Sequence, residues 1–164
     1  MMKSPRIRSR PRIGDVIEIE APRGFAYAQY THRHTSPPRY GALLRILPGL
    51  FVDRPTSHAA LVTQPHRFLV FFPLGAACNR RIVQIVANET VPYEYQEFPV
   101  FRDRVRLSDG RTGPWCLWDG QREVRVKYLS PEQQRLPLLL GVWNDTILIK
   151  RLASEWLPSE EDAA

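Results

Sequence analysis

The sequence predicts a mainly β domain, antiparallel, forming a small, partly open barrel with short helical insertions. Three observations carry that prediction. Proline accounts for 15 of 164 residues, and an interior proline removes a helical hydrogen bond and clashes with the preceding turn. The longest proline-free stretch is 138–157, which leaves no room for a bundle of long helices. Apolar residues come in short alternating or continuous blocks divided by Gly, Pro, Asn and Asp, the pattern of strands and turns. Finally, Asp119-Gly120 lies between two such blocks, the strongest short-range hairpin signal. Hydrophobic residues at 43% and charged residues at 24% are ordinary globular usage, which excludes a wholly disordered chain.

The elements follow in order. Residues 15–21 alternate around Ile17 and Ile19, and 25–31 return after Pro22-Arg23-Gly24. Proline second and glycine fourth in a turn predict a three-residue loop. Ala21 then faces Phe25, Ile19 faces Tyr27, and Ile17 faces Gln29. The apolar face is Ile17, Ile19, Phe25 and Tyr27, with Glu18, Glu20, Ala28 and Tyr30 on the other. Residues 31–40 read as a loop around Pro37-Pro38; 42–47 and 50–52 are short strands about Pro48-Gly49. Residues 57–63 suit either a capped helix or a strand. The unbroken apolar run 68–72 predicts a central strand buried on both faces, and 81–87 is rich in Ile and Val. Residues 88–104 form an aromatic connection containing Tyr93, Tyr95, Phe98 and Phe101.

A two-residue Asp119-Gly120 loop sets Trp118 opposite Gln121, Leu117 opposite Arg122 and Trp115 opposite Val124. Trp115, Leu117, Val124, Val126 and Tyr128 then share the core face, while Trp118 shares the other with Glu123, Arg125 and Lys127. Ser130-Pro131-Glu132-Gln133 is a capping box opening a short helix, which Pro137 stops. Residues 146–150 read as a strand, and 152–157 as a frayed strand or a single helical turn.

Charge divides the chain. Lys3, Arg6, Arg8, Arg10 and Arg12 make residues 1–12 a basic tail without an acid, whereas 13–164 carry 18 basic and 17 acidic side chains. The organisation expected is a flexible basic tail over 1–12, one β-rich domain over 13–157, and an acidic tail over 158–164. Cys78 and Cys116 lack the number and spacing of a disulfide framework or metal site, so they read as buried reduced thiols. No apolar segment follows the first arginines as in a secretory signal. The longest uncharged apolar run, 68–78, falls short of the ~20 residues of a membrane helix. A soluble cytoplasmic protein is expected, without cofactor or metal.

Catalytic patterns are scarce. No phosphate-binding glycine loop or nucleophile elbow is present. His32 and His34 could place two imidazoles on one side of an extended segment, but no Cys, Asp or Glu lies close by in sequence, and a solvated loop is the plainer reading. Asp15, Glu18 and Glu20 could form an acid cluster; strand alternation explains Glu18 and Glu20 as a wet face instead. A binding protein is the better expectation than an enzyme. Its candidate contacts are arginines and aromatics, the types enriched at hot spots: Trp118 and Arg125 on the charged hairpin face, Arg33, Arg39 and Tyr40 in one loop, and Tyr95. A nucleic-acid reading uses the same loop and the basic tail, against a nearly neutral body and aromatics at core-facing positions.

The motifs also carry a resemblance. Gly14-Asp15-Val16-Ile17-Glu18-Ile19 followed by Tyr27-Ala28-Gln29-Tyr30, then residues 82–88 leading to Phe98-Pro99-Val100-Phe101, then 115–120, Leu136-Pro137 and 147–152, resemble in order the blocks of the immunity protein 26 family of bacterial polymorphic-toxin systems. Arg80-Arg81 stands where that family has a tryptophan, and Ala87 where it has a glycine. The resemblance implies a non-enzymatic cytoplasmic protein that docks on a cognate toxin domain and neutralises it.

Overall fold

The computed structural model describes residues 10–158. Its strands are β1 (Asp15–Ala21), β2 (Gly24–His34), β3 (Gly41–Ile46), β4 (Phe68–Phe72), β5 (Val83–Asn88), β6 (Phe101–Arg106), β7 (Thr112–Trp118) and β8 (Glu123–Val126). They form two antiparallel sheets, one of five strands in the order β4-β3-β2-β1-β5 and one of three in the order β6-β7-β8. The larger sheet does not close on itself, so the partly open, mainly β architecture predicted from the sequence is the one found. No helix among the described residues is long and apolar enough to cross a membrane.

The first hairpin departs from its predicted register. Ala21 pairs with Gly24, Glu18 with Tyr27 and Ile17 with Ala28, so the loop is Pro22-Arg23 alone. The reason lies outside the hairpin. Phe25 exchanges backbone hydrogen bonds with Phe51 at 2.7 and 2.9 Å, which extends the strand back to Gly24. A Cβ on Gly24 would sit 2.4 Å from the Phe51 carbonyl oxygen. That bridge is all that forms of the strand expected at 50–52.

A one-residue shift moves every side chain to the opposite face. Ile17, Ile19, Ala26, Ala28 and Tyr30 therefore join Leu44, Ile46, Val70 and Phe72 in the main core. Tyr27 turns to the other side, where Val16, Leu47, Leu61 and Val62 enclose it. Glu18 goes with it and is not on a wet face. It is only 6% exposed, accepting from the Tyr27 hydroxyl at 2.8 Å and the Arg54 Nε at 3.1 Å. Burial and the Glu18 carboxylate raise the Tyr27 phenol well above its ordinary pKa. Asp15 is also buried, accepting from the Arg12 N–H at 2.8 Å and Asn88 Nδ2 at 3.0 Å.

β4 is buried along its whole length, but it is an edge strand and not a central one. Phe68, Val70 and Phe72 face the main core, while Leu69 and Phe71 face the smaller sheet. Its outer edge is satisfied by the 141–143 backbone: Phe71 N–H donates to Gly141 O at 3.3 Å and Trp143 N–H to Phe71 O at 3.0 Å.

Helices cover both faces of the larger sheet, α1 (His58–Val62) on the Tyr27 side and α2 (Leu74–Asn79) and α3 (Asp145–Ala153) over the main core. Ser57 caps α1 by accepting from Ala60 N–H, which resolves the 57–63 ambiguity. α2 follows Pro73 and was hidden within an apolar run. The strand expected at 146–150 is instead α3, capped by Asn144, with Leu148 and Leu152 buried one turn apart. The capping box at Ser130 forms: its N–H donates to Gln133 Oε1 and its Oγ accepts from Gln133 N–H, although the turn it opens is 3₁₀.

The smaller sheet contains β6, which lay unrecognised in the aromatic connection. Its second hairpin has Trp118 opposite Glu123 and Trp115 opposite Val126, two residues beyond the predicted pairing. Asp119 Oδ1 accepts from both Gln121 and Arg122 N–H, which opens the loop to four residues. A two-residue shift keeps the faces, yet their roles are reversed. Trp118 and Cys116 point inward, and Trp118 packs with Leu43, Leu69, Phe71 and Phe101; Trp115 is half-buried on the outer face. Both cysteines are buried and free, and burial pushes the Cys78 thiol up to about 11.

His34 belongs to this junction rather than to a solvated loop. Tyr40 N–H donates to its Nδ1, so Nε2 carries the proton that it donates to Gly120 O at 2.7 Å. Residues 137–143 form a strap between the sheets. Arg102 N–H donates to Pro137 O and accepts Leu139 N–H at its own carbonyl, before the strap reaches Phe71 of β4.

Candidate functional site

β2 ends at Arg33 and His34, and the 35–40 loop carries the chain back to β3. Arg39 adopts a positive φ of 51°, an uncommon conformation for a residue with a Cβ. Its N–H donates to Ser36 O at 2.6 Å. The loop is anchored at its end by Tyr40, whose ring stacks on Phe71 at 5.0 Å and meets Trp118 edge-on at 5.3 Å. On the other side, Arg12 is fixed by Asp15, which places Arg10 beside the loop.

These elements form a cleft of about 600 Å³ lined by Arg10, Arg33 and Arg39, with Tyr30, Tyr40 and Phe72 in its wall. Among the described residues, no carboxylate lines it, and none of the three guanidinium groups makes a hydrogen bond or ion pair. Burial raises the Tyr30 pKa, Arg33 opposes that rise, and Asp15 adds to it; the phenol stays neutral at pH 7 and can donate. Unpaired guanidinium groups beside an aromatic wall bind planar anions well, because each offers a fork of donors.

Of the residues expected at a binding surface, the structure brings Arg33, Arg39 and Tyr40 into this cleft. Arg125 is exposed on β8 opposite Cys116 and does not line it. Trp118 is 8% exposed and supports the cleft from beneath through Tyr40. Arg10, assigned to the tail from sequence, was missed; only its charge could have suggested it.

Tyr95 belongs to a second cavity, of about 450 Å³. Its ring covers the Arg45 guanidinium at 4.4 Å and meets His66 at 5.1 Å. Arg45 is fully buried. Its Nε donates to Gln29 Oε1 at 3.1 Å, Nη1 to Gln64 O at 3.0 Å, and Nη2 to Val62 O. Its place in the apolar run Leu43-Leu44-Arg45-Ile46 was the overlooked signal.

Among the described residues, His66 Nδ1 is buried without a hydrogen-bond partner. Burial, reinforced by Arg45, lowers the His66 pKa from 6.5 to about 4. The unfolded chain therefore binds more protons between these values, and stability falls as pH drops through that window. The loss is expected to reach on the order of 3 kcal/mol near pH 4 and to be absent above about pH 6.5. His32, lowered in pKa by burial, adds in the same direction. Urea melts across the window should show this slope reduced in His66→Gln, and an unchanged slope would assign it elsewhere.

Among the described residues, no group of three or more His, Cys, Asp or Glu is placed to hold a metal ion. The chain matches no family model, no curated protein and no solved structure.

Proposed function

We propose that this chain is a non-enzymatic, immunity-type protein that binds and neutralises a cognate bacterial toxin domain through the Arg10–Arg33–Arg39 cleft. The observation that carries the proposal is the set of three guanidinium groups, unpaired among the described residues, in a cleft lined by no carboxylate. A cation left without an internal partner is available to an external one, and fixed arginine–aromatic clusters form the anchors of protein interfaces. The resemblance of the ordered sequence motifs to the immunity protein 26 family supports a toxin domain as the partner.

The test is to express any toxin domain found in the genes flanking this one and to measure its binding by calorimetry and by rescue of growth on co-expression. Arg33→Glu/Arg39→Glu should weaken binding at least about thirtyfold, roughly 2 kcal/mol, with an unchanged melting temperature. Failure of the unaltered protein to bind that domain would overturn the toxin reading. Full affinity in the variant would remove the cleft from the interface.

One observation favours a second reading. Arg10, in the basic 1–12 segment, lines the cleft with Arg33 and Arg39, a cationic set suited to a phosphate backbone. Single-stranded oligonucleotide binding that weakens steeply with salt, and less steeply in the double variant, would support nucleic acid as the partner.

A further inference from the structure

The smaller sheet packs one face against β3 and β4; the other is only partly covered, by residues 128–136, where Arg102 Nε donates to Leu136 O at 2.9 Å. On β6, Arg102, Arg104 and Arg106 alternate toward that outer face. Cross-strand pairing places Trp115 between Arg104 and Val126, and Leu117 between Arg102 and Val124. The centre is therefore apolar and one margin is cationic. Val124 is 56% exposed and Tyr128, two residues beyond the end of β8, 79% exposed. A cleft of about 500 Å³ lies beside Trp115, walled by Tyr128, Leu129 and Gln134. No acidic side chain stands in these rows, and neither Arg104 nor Arg106 has a carboxylate partner among the described residues.

An apolar centre carrying Trp and Tyr with an arginine rim has the composition of a protein interface. A second copy of the chain fits it poorly, because in an isologous contact the same face, without an acidic side chain in its rows, would oppose the arginine rim. Nucleic acid fits it poorly too. Two guanidinium groups already approach the Trp115 ring, at 5.3 and 5.1 Å, and the aliphatic centre offers bases neither a π face nor a hydrogen bond; only Tyr128 is open for stacking.

We infer that the outer face of β6–β8 is a docking surface, separate from the Arg10–Arg33–Arg39 cleft, for a different protein that presents an apolar patch rimmed by carboxylates. The inference does not depend on the toxin reading.

The probe is a synthetic peptide alternating glutamate and leucine, titrated into isotope-labelled full-length protein and followed by amide chemical shifts. Saturable shifts confined to β6, β7 and β8 are expected. Arg104→Glu/Arg106→Glu should weaken binding at least about tenfold, while Arg33→Glu/Arg39→Glu leaves it unchanged. Val124→Ser, which keeps the charges, should also weaken it, and so tests the face should the charge variant fail to fold. The inference is overturned by absence of binding, by binding insensitive to these substitutions, or by an oligothymidylate that displaces the peptide with equal affinity. A concentration-dependent dimer abolished by Val124→Ser in sedimentation would overturn it in favour of self-association.

Discussion

Trp118→Ala is expected to destabilise the protein by about 3–5 kcal/mol, and Trp115→Ala by less than about 1 kcal/mol. Trp118 fills the junction between the sheets, with the rings of His34, Tyr40, Phe98 and Phe101 at 4.9 to 5.8 Å. Truncation leaves a cavity that the strands on either side cannot close, since each is fixed in its own sheet. It also removes the ring on which Tyr40 rests, so the cleft should loosen before the fold is lost. Trp115 packs on one side only, under arginine side chains that can spread over the gap. Denaturant melts of the two variants decide the matter; equal losses would mean that the outer face is covered in solution.

That pair of tryptophans shows what the sequence could and could not supply. Alternation placed Trp115 and Trp118 on opposite faces, because side-chain period along a strand is local. Which face turns inward depends on the other sheet, and the charges beside Trp118 misdirected the choice. Glu123 and Arg125 lie toward the end of the small sheet, where an inward-facing row can still reach solvent. The first hairpin failed in a related way. Pro22-Arg23-Gly24 suits a three-residue loop by itself, but the bridge from Phe25 to Phe51 is not a local feature. α3 was missed because Thr146, Ile147 and Ile149 favour strands, and the Asn144 cap with Leu148 and Leu152 outweighed them. Of the cleft, Arg33, Arg39 and Tyr40 were identified from composition, although Arg33 lies on β2 and not in the loop expected over 31–40. Arg10 required knowledge of where Asp15 holds the N-terminal segment.

Arg45→Met should cost about 2–4 kcal/mol. Removing the guanidinium leaves Gln29 Oε1 and the Val62 carbonyl buried without their donor, and a buried acceptor so deprived loses roughly 1–3 kcal/mol. Gln64 is exposed, so its carbonyl can turn to water. Opposing these losses, the desolvation of a buried cation is relieved, which keeps the total from reaching the sum of the parts. Gln29→Leu combined with Arg45→Met should recover part of the loss, because both ends of one hydrogen bond are then removed together. Strict additivity of the two substitutions in urea melts would show that the pair is not coupled.

The strap at 137–143 has a consequence for synthesis on the ribosome. Each sheet consists of chain made before it, yet β6 donates to the Pro137 carbonyl and accepts from Leu139 N–H, and β4 donates to the Gly141 carbonyl and accepts from Trp143 N–H. While the nascent chain is shorter than this, both strands present open edges, and the apolar β4 edge is the kind that recruits other chains. Residues 137–143 thus act as a closing clasp, and a ribosome stalled short of them would release a chain prone to aggregate with its siblings.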